Sequence, residues 1–319
     1  MSELLPTLAD IGAARERIAG SVVRTPLVRL GVTNAAAEIY LKLESLQPIG
    51  SFKLRGAINA IARTTPAQLA RGVLTASAGN MAQGVAWQAR ELRIPCTVIA
   101  PDTAPATKTE AVERLGGRVI KVPFAEWWQT FERRAFPGID ATFIHAFDDL
   151  DVMAGNGTLA LEILEDLPET DAIVIPWGGG GLACGIASGV RALKPGCRIY
   201  TAEAATAAPF AASFAAGSPQ TIEQRPSWID GIGSRTVFAG MFARARHLVD
   251  GALVATVDEV AAAVRLLAER NRVIAEGAGA CPVACALSGG AGAGTVVCIV
   301  SGGNIDLGKL AVILGGGNP

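Results

Sequence analysis

Ala172-Ile173-Val174-Ile175-Pro176-Trp177-Gly178-Gly179-Gly180-Gly181-Leu182 is an apolar, β-branched run that breaks into four glycines and resumes at helix length. An apolar run without polar alternation suits a strand buried on both faces, as in a parallel sheet. Working outward, similar runs occur at Arg71–Ser77, Cys96–Ala100, Arg118–Val122, Thr142–Ala146, Arg198–Ala202 and Thr295–Val300. Helix-length segments lie between them, among them Met81–Arg93, Thr107–Leu115, Gly157–Asp166 and Val257–Asn271. That alternation predicts an α/β fold with parallel strands and right-handed crossovers. Repeats, charge runs and low-complexity linkers are absent, so composition marks no domain boundary.

Half of the 319 residues are hydrophobic, 37 are glycine and only 5% are aromatic, a balance suited to a sheet packed between helices. The 28 basic and 29 acidic residues nearly cancel, so no nucleic-acid or anionic-membrane partner is expected. No uncharged run of membrane-spanning length occurs; the richest stretch, Ala204–Gly217, contains Pro209 and reads as loop and helix. Met1–Asp10 lacks the features of a secretory signal. None of the six cysteines (Cys96, Cys184, Cys197, Cys281, Cys285, Cys298) forms a Cys-x-x-Cys pair, and they read as buried free thiols of a reducing cytoplasm. His145 and His247, the only histidines, read as structural, and no metal site is expected. Trp127, Trp128 and Phe131 stand at near-helical spacing and read as core or domain contact.

Four short segments carry chemistry. Glycines 178–181 let backbone N–H groups converge on an anion without Cβ interference, and the following helix adds its positive end, which signals phosphate binding. In Ser51-Phe52-Lys53-Leu54-Arg55-Gly56-Ala57, Ser51 is a candidate N-cap and Lys53 follows in the first helical turn, where the macrodipole disfavours an ammonium. A lysine with a lowered pKa there can form a Schiff base, although Lys53-Leu54-Arg55 alone reads as a solvated surface triplet. Ser77-Ala78-Gly79-Asn80 follows a strand and opens a helix whose free amides could grip a carboxylate, while Asn80 could donate to a phenolic oxygen. Ser301-Gly302-Gly303-Asn304 ends the last strand, where a serine could meet a pyridine nitrogen without holding it protonated. Together these are parts that hold pyridoxal phosphate, tuned as a mild electron sink suited to elimination.

A rival reading starts from Gly178-x-Gly180-x-x-Ala183, which satisfies the loose dinucleotide pattern, with Glu203 placed as a ribose-binding acid. That oxidoreductase reading leaves Lys53, Ser77–Asn80 and Ser301–Asn304 without a role. A third reading, a silent relative acting as a binding module, would bind the cofactor without turnover.

From Thr25-Pro26-Leu27 through Lys53 to Ser301-Gly302-Gly303-Asn304, the chain resembles the serine/threonine dehydratase and serine racemase family, whose members have the fold type II pyridoxal-phosphate architecture. The resemblance implies Lys53 as Schiff-base lysine and base at Cα, with Phe52 beside the ring. Asn80 would bond the ring's 3-hydroxyl, Gly178, Gly179, Gly180, Gly181 and Leu182 would hold the phosphate, Ser301 would face the pyridine nitrogen, and Glu276 would lie near the ring. Ser77, Ala78, Gly79, Asn80 and Met81 would form the substrate-carboxylate loop, with Gly231 and Arg235 near the substrate. It further implies a homodimer, and a small mobile domain at 71–148 within a larger one formed by 1–70 and 149–319, each built on a mostly parallel twisted sheet.

Several positions depart from the family pattern. Ala78 stands where racemases place a second serine, so racemisation is not expected. Met81 replaces a common histidine and predicts an apolar, adaptable wall, and Arg235 falls where racemases have a substrate-contacting serine. Pro209 occupies the neighbourhood in which the family's divalent-metal site needs a second carboxylate after Glu203. Ending at Pro319, the chain is not expected to carry a regulatory domain. The expected activity is dehydration of a small β-hydroxy-amino acid such as threonine or serine to a 2-oxo acid and ammonium, with acid help from the cofactor phosphate. Met81, Trp177 and Trp127-Trp128 raise a phenylserine-type substrate as the alternative.

Overall fold

The computed structural model describes residues 5–33 and 35–319; of the amino-terminal stretch Met1–Asp10, read as carrying no secretory signal, residues 1–4 lie outside the described part. Among the described residues, ten strands form two sheets: β1 (Leu27–Arg29), β2 (Ala37–Leu43), β3 (Val73–Ala76), β4 (Cys96–Pro101), β5 (Arg118–Val122), β6 (Thr142–Phe143), β7 (Ala172–Pro176), β8 (Arg198–Ala204), β9 (Gly251–Ala255) and β10 (Gly294–Val300). The six-stranded sheet has the order β1-β2-β10-β7-β8-β9 and the four-stranded sheet the order β5-β4-β3-β6. Every pairing among these strands is parallel except β1 with β2. The α/β architecture with two mostly parallel sheets therefore stands as expected.

Each of the seven strands read from the sequence is present, two of them shortened: β3 ends at Ala76, and β6 stops at Phe143, beyond which the Ala146 carbonyl accepts from Lys53. Three strands were not read. β2 hides its alternation because Lys42 points inward, β1 is three residues long, and β9 is an edge strand with Val254 exposed. The helix expected at Gly157–Asp166 begins at Leu150, where the Asp149 side chain accepts from the Asp151 and Val152 amides. The segment expected as one helix over Val257–Asn271 ends at Leu266 and closes in a π-turn over Leu267–Asn271. Expected as a core or domain contact, Trp127 joins the small-sheet core, while Trp128 and Phe131 meet Phe238 at 5.5 and 5.9 Å between ring centroids.

The glycine loop after β7 leads into the helix Gly181–Leu193, packed on one face of the large sheet, whereas β10 leads into the helix Leu307–Leu314 on the other face. Adjacent parallel strands whose chains depart to opposite faces leave a crevice at their carboxyl ends, the ordinary place for a ligand in an open α/β sheet.

Lys53 opens the helix Lys53–Ala62, and the expected cap is displaced by one residue. Phe52 holds the N-cap position without a side-chain bond, while Ser51 Oγ accepts from the Lys53 amide at 3.4 Å. This helix lies close against Leu150–Asp166. A Cβ on Gly56 would stand 2.8 Å from Val152 Cγ1, and one on Gly155 would stand 2.5 Å from the Arg55 carbonyl oxygen, so neither site admits a larger residue without moving a helix.

Arg55 is the main correction to the surface-triplet reading. It is fully buried and donates to both oxygens of Glu44 (2.8 and 2.9 Å) and of Glu162 (2.6 and 3.0 Å). Lys42, also fully buried, pairs with Glu162 at 2.6 Å, and Thr25 donates to Glu44 at 2.6 Å. Two positive and two negative groups thus share one buried compartment at the root of the Lys53 helix. Removing one member of such a set leaves an uncompensated buried charge, so Arg55→Ala is expected to cost about 3–5 kcal/mol of stability. Chemical denaturation checks this, and a loss below about 1 kcal/mol would contradict the reading.

Candidate active site

Backbone hydrogen bonds stitch the lysine segment to the loop after β10. Phe52 N–H donates to the Ser301 carbonyl at 3.0 Å, Ser51 bridges Gly302, and Gly303 N–H donates to Gly50 at 2.9 Å. Lys53 and Ser301, far apart in sequence, are thereby brought together. Ser301 is buried at the end of β10, and Phe52, half-buried, packs against the large-sheet core with its ring centroid 5.1 Å from Lys53 Nζ.

Lys53 Nζ donates to the Ala146 carbonyl at 2.6 Å. Burial lowers its pKa to about 8, against the opposing pull of the Glu276 carboxylate. Desolvation, rather than the helix end invoked from the sequence, is the main cause. Glu276 is displaced the other way, to about 7, chiefly by burial and then by the Asp230 charge; Asn80, Lys108 and Lys53 oppose this. Glu276, buried, and Lys53, partly buried, are thus moved by desolvation toward each other's range.

Asn80 opens the helix Asn80–Leu92 after β3, as expected, with Gly79 at the N-cap and Ser77 Oγ accepting from the Gly79 amide at 3.2 Å. The carboxamide is oriented by two partners: Asn304 Nδ2 donates to Asn80 Oδ1, and Asn80 Nδ2 donates to Glu276 Oε1, each at 2.8 Å. The second hydrogen on Nδ2 remains for a ligand oxygen. Asn304 also donates to the Ile49 carbonyl at 2.8 Å, a role not assigned from the sequence although its motif was singled out.

Gly178, Gly179 and Gly180 precede the helix Gly181–Leu193, and their amides donate to no carbonyl or side chain among the described residues. Gly180 has φ +90°, which a side chain would strain, and a Cβ on Gly179 would fall 2.0 Å from the Phe147 ring. Leu182 is buried in the first turn of that helix. Gly231 flanks the loop: a Cβ on Gly178 would meet the Gly231 carbonyl at 3.0 Å, and one on Gly231 would lie 3.7 Å from Glu276 Oε1. Unsatisfied amides at a helix start, a nearby amine of lowered pKa and a carboxamide with a donor to spare match the phosphate, aldehyde and phenolic oxygen of pyridoxal phosphate.

Two expectations about the pocket, those for Met81 and Trp177, need correction. Met81 is 1% exposed and packs into the small-sheet core, so it can offer a backbone amide but no open wall. Trp177, also 1% exposed, stacks on Phe210 at 3.9 Å within the large-sheet core. Arg235 is exposed and its guanidinium has no hydrogen-bond or ion-pair partner among the described residues; only its carbonyl is engaged, by Ile222 N–H at 2.9 Å. Ala78, partly buried beside Ser77, adds a methyl group with no proton to move. His145 is buried, as a structural histidine should be, and all six cysteines are free and buried. Glu203 does not offer itself to a ribose: its carboxylate accepts from the amides of Phe210 (3.0 Å) and Ala211 (2.7 Å), capping the helix Pro209–Ala216.

An α/β chain with its lysine, glycine cradle and asparagine gathered at the sheet's switch point is a pyridoxal-phosphate enzyme by architecture, and residues 18–302 match the family model "Pyridoxal-phosphate dependent enzyme". The chain belongs to that family and is a pyridoxal-phosphate-dependent lyase. It is 38% identical over 316 residues to the L-threonine ammonia-lyase of Thermotoga maritima, covering 98% of this chain and 75% of that protein. Among solved structures it resembles the threonine deaminase of T.th. (TM-score 0.88, 33% identity, 94% of this chain and 99% of that one). The serine racemase of Dictyostelium discoideum is similar as well (TM-score 0.85, 33% identity, 94% of this chain and 99% of that one).

Only the neutral amine of Lys53 can attack an aldehyde, so cofactor attachment should accelerate with rising pH and level off above about 8. Glu276→Gln removes the carboxylate that raises the lysine, which should move the plateau to lower pH. Stopped-flow absorbance of cofactor attachment reads both, and an unmoved plateau in the variant would refute the coupling.

Proposed function

We propose that this protein is a dehydratase (ammonia-lyase) of threonine or serine, converting a β-hydroxy-α-amino acid to a 2-oxo acid and ammonium. The observation that carries the reading is the Lys53 amine bonded to the Ala146 carbonyl, next to Phe147, against which the Gly179 backbone of the unsatisfied glycine loop packs. Relatives with threonine ammonia-lyase and threonine deaminase activity in their names, alike over most of the chain, support it. Bound there, pyridoxal phosphate supplies an electron sink that acidifies the substrate Cα–H.

The chain's own residues do the rest. Amides of Gly178–Gly181 and Leu182 would hold the phosphate, Asn80 would donate to the ring oxygen, and Ser301 would offer the ring nitrogen a hydroxyl, which cannot keep it protonated as a carboxylate would. Ser77 and the free amides of the first turn at Asn80–Met81 receive the substrate carboxylate. Lys53 Nζ takes the Cα proton, the β-hydroxyl would leave as water with a proton supplied by the cofactor phosphate, and the released enamine takes up water to give the 2-oxo acid and ammonium. Residues 71–148 act as a mobile unit that closes over the substrate and excludes water. The Lys108–Asp230 ion pair (2.5 Å) and the contact of Trp128 and Phe131 with Phe238 join that unit to the rest of the chain. With Met81 and Trp177 both in the core, a phenyl-sized substituent finds no apolar wall in either of them. We read the protein as a cytoplasmic homodimer: the buried free thiols support a reducing compartment, and the family resemblance carries the dimer.

The visible spectrum before and after L-threonine, L-serine and L-threo-phenylserine tests the activity. The expected result is a spectral change with 2-oxo acid from threonine or serine; a cofactor-loaded protein that yields none from any of them would overturn the proposal. Lys53→Ala should abolish the cofactor linkage and turnover together. Ala78→Ser should introduce weak racemisation, which a chiral assay of recovered substrate would detect.

A further inference from the structure

The hydrogen bond from Lys53 Nζ to the Ala146 carbonyl depends on a short turn that the reaction itself leaves unused. Ala146 stands between His145 and Phe147 just after β6. The His145 ring is 3% exposed, and its Nδ1 accepts two backbone amides at once, Phe147 N–H at 3.2 Å and Asp148 N–H at 2.8 Å. This is the bonding of an Asx turn, made by an imidazole. Accepting both hydrogens requires an unprotonated Nδ1. Burial holds the pKa down to about 3, reinforced by Arg134 and Lys53 and opposed only by Asp148. The ring is wedged between Phe131 and Phe147, at 4.4 and 4.8 Å between centroids. Downstream, the Asp148 carboxylate is tied to Arg134 at 2.9 Å and to Arg244. Upstream, Ile144 N–H donates to Leu74 at 2.7 Å, and Thr75 Oγ1 donates to the Ile144 carbonyl at 2.9 Å. The turn is therefore braced on both sides, and its unbraced carbonyl, that of Ala146, points at the lysine.

A carbonyl oxygen can only accept. It holds a neutral amine by one N–H and leaves the nitrogen lone pair facing elsewhere, available to attack carbon or take a proton. We propose that His145 is a positioning residue: by pinning the turn 145–148 it aims the Ala146 carbonyl, which holds the Lys53 amine in attacking position whenever the amine is free of the cofactor. This rests on the reading of Lys53 as the cofactor-bearing lysine. Without an acceptor at 145, the Phe147 and Asp148 amides would be left unpaired, and the turn would rearrange to satisfy them, re-aiming the carbonyl.

The test uses the holoenzyme and an amino acid with no β-leaving group, so that elimination plays no part. L-Alanine is bound until it displaces the lysine; the complex is then diluted, and return of the lysine–cofactor linkage is followed by stopped-flow absorbance. His145→Leu should slow the return by about fivefold to tenfold, the range that one neutral hydrogen bond spans. His145→Asn, whose Oδ1 can take the same two amides, should stay within about twofold of the parent. A purely structural histidine would lower Tm in the leucine variant and leave the return rate alone, and that result overturns the inference. So does an asparagine variant as slow as the leucine one. If the leucine variant does not fold, the asparagine variant decides: a return within about twofold sustains the inference, and slowing beyond about fivefold overturns it. Failure of the underlying reading looks different, because Lys53→Ala would then keep the visible linkage or the parent would give no 2-oxo acid from threonine and serine.

Discussion

The structure hangs on a buried guanidinium held between two carboxylates. Arg55 reaches both oxygens of Glu44 and both of Glu162, and Lys42 balances the remaining charge. The planar fork of arginine suits this task because it can serve two carboxylates at fixed angles. Such a cluster adds little net stability over apolar packing, and it is costly once a member is lost. Its members come from β2, the turn after it, the Lys53 helix and the helix Leu150–Asp166, so it sets where the Lys53 helix begins relative to both neighbours. A lysine that must approach a ligand to within bonding distance benefits from that register.

Around this anchor the cleft is assembled from ends. The loop after β7 offers amides, the loop after β10 offers Ser301 and Asn304, and the helix start after β3 offers Asn80, while the turn after β6 offers a carbonyl. Each is irregular backbone at the carboxyl end of a strand, where amides and carbonyls are free of the ladder. Electrostatics follow from the same burial. One desolvated environment pushes Lys53 down to about 8 and Glu276 up to about 7, so each moves toward the pH at which the other titrates.

The relation between sequence and structure is clearest residue by residue. Gly178–Gly181, Ser77–Asn80, Lys53 and Ser301 were legible because each joins a recognisable local pattern to a chemical need: glycines before a helix, a small-residue loop after a strand, a lysine at a helix start, a serine at a strand end. Arg55 was not, because Lys53-Leu54-Arg55 is an ordinary surface triplet unless Glu44 and Glu162 lie beside it, and no local pattern reports a partner more than a hundred positions away. Met81 and Trp177 were misread for the same reason; the neighbours that bury them belong to other elements. Ala146 was invisible in principle, since it acts through a carbonyl that every residue possesses.

The sequence by itself determined the α/β class, most of the strands and the cofactor, because periodicity, turn chemistry and helix ends are short-range properties. Tertiary structure alone decided which charges are buried, which carbonyl receives the lysine, how the Asn80 amide is turned and how far each pKa moves. Those depend on desolvation and on contacts between residues distant in the chain, and neither is written in any local stretch of it.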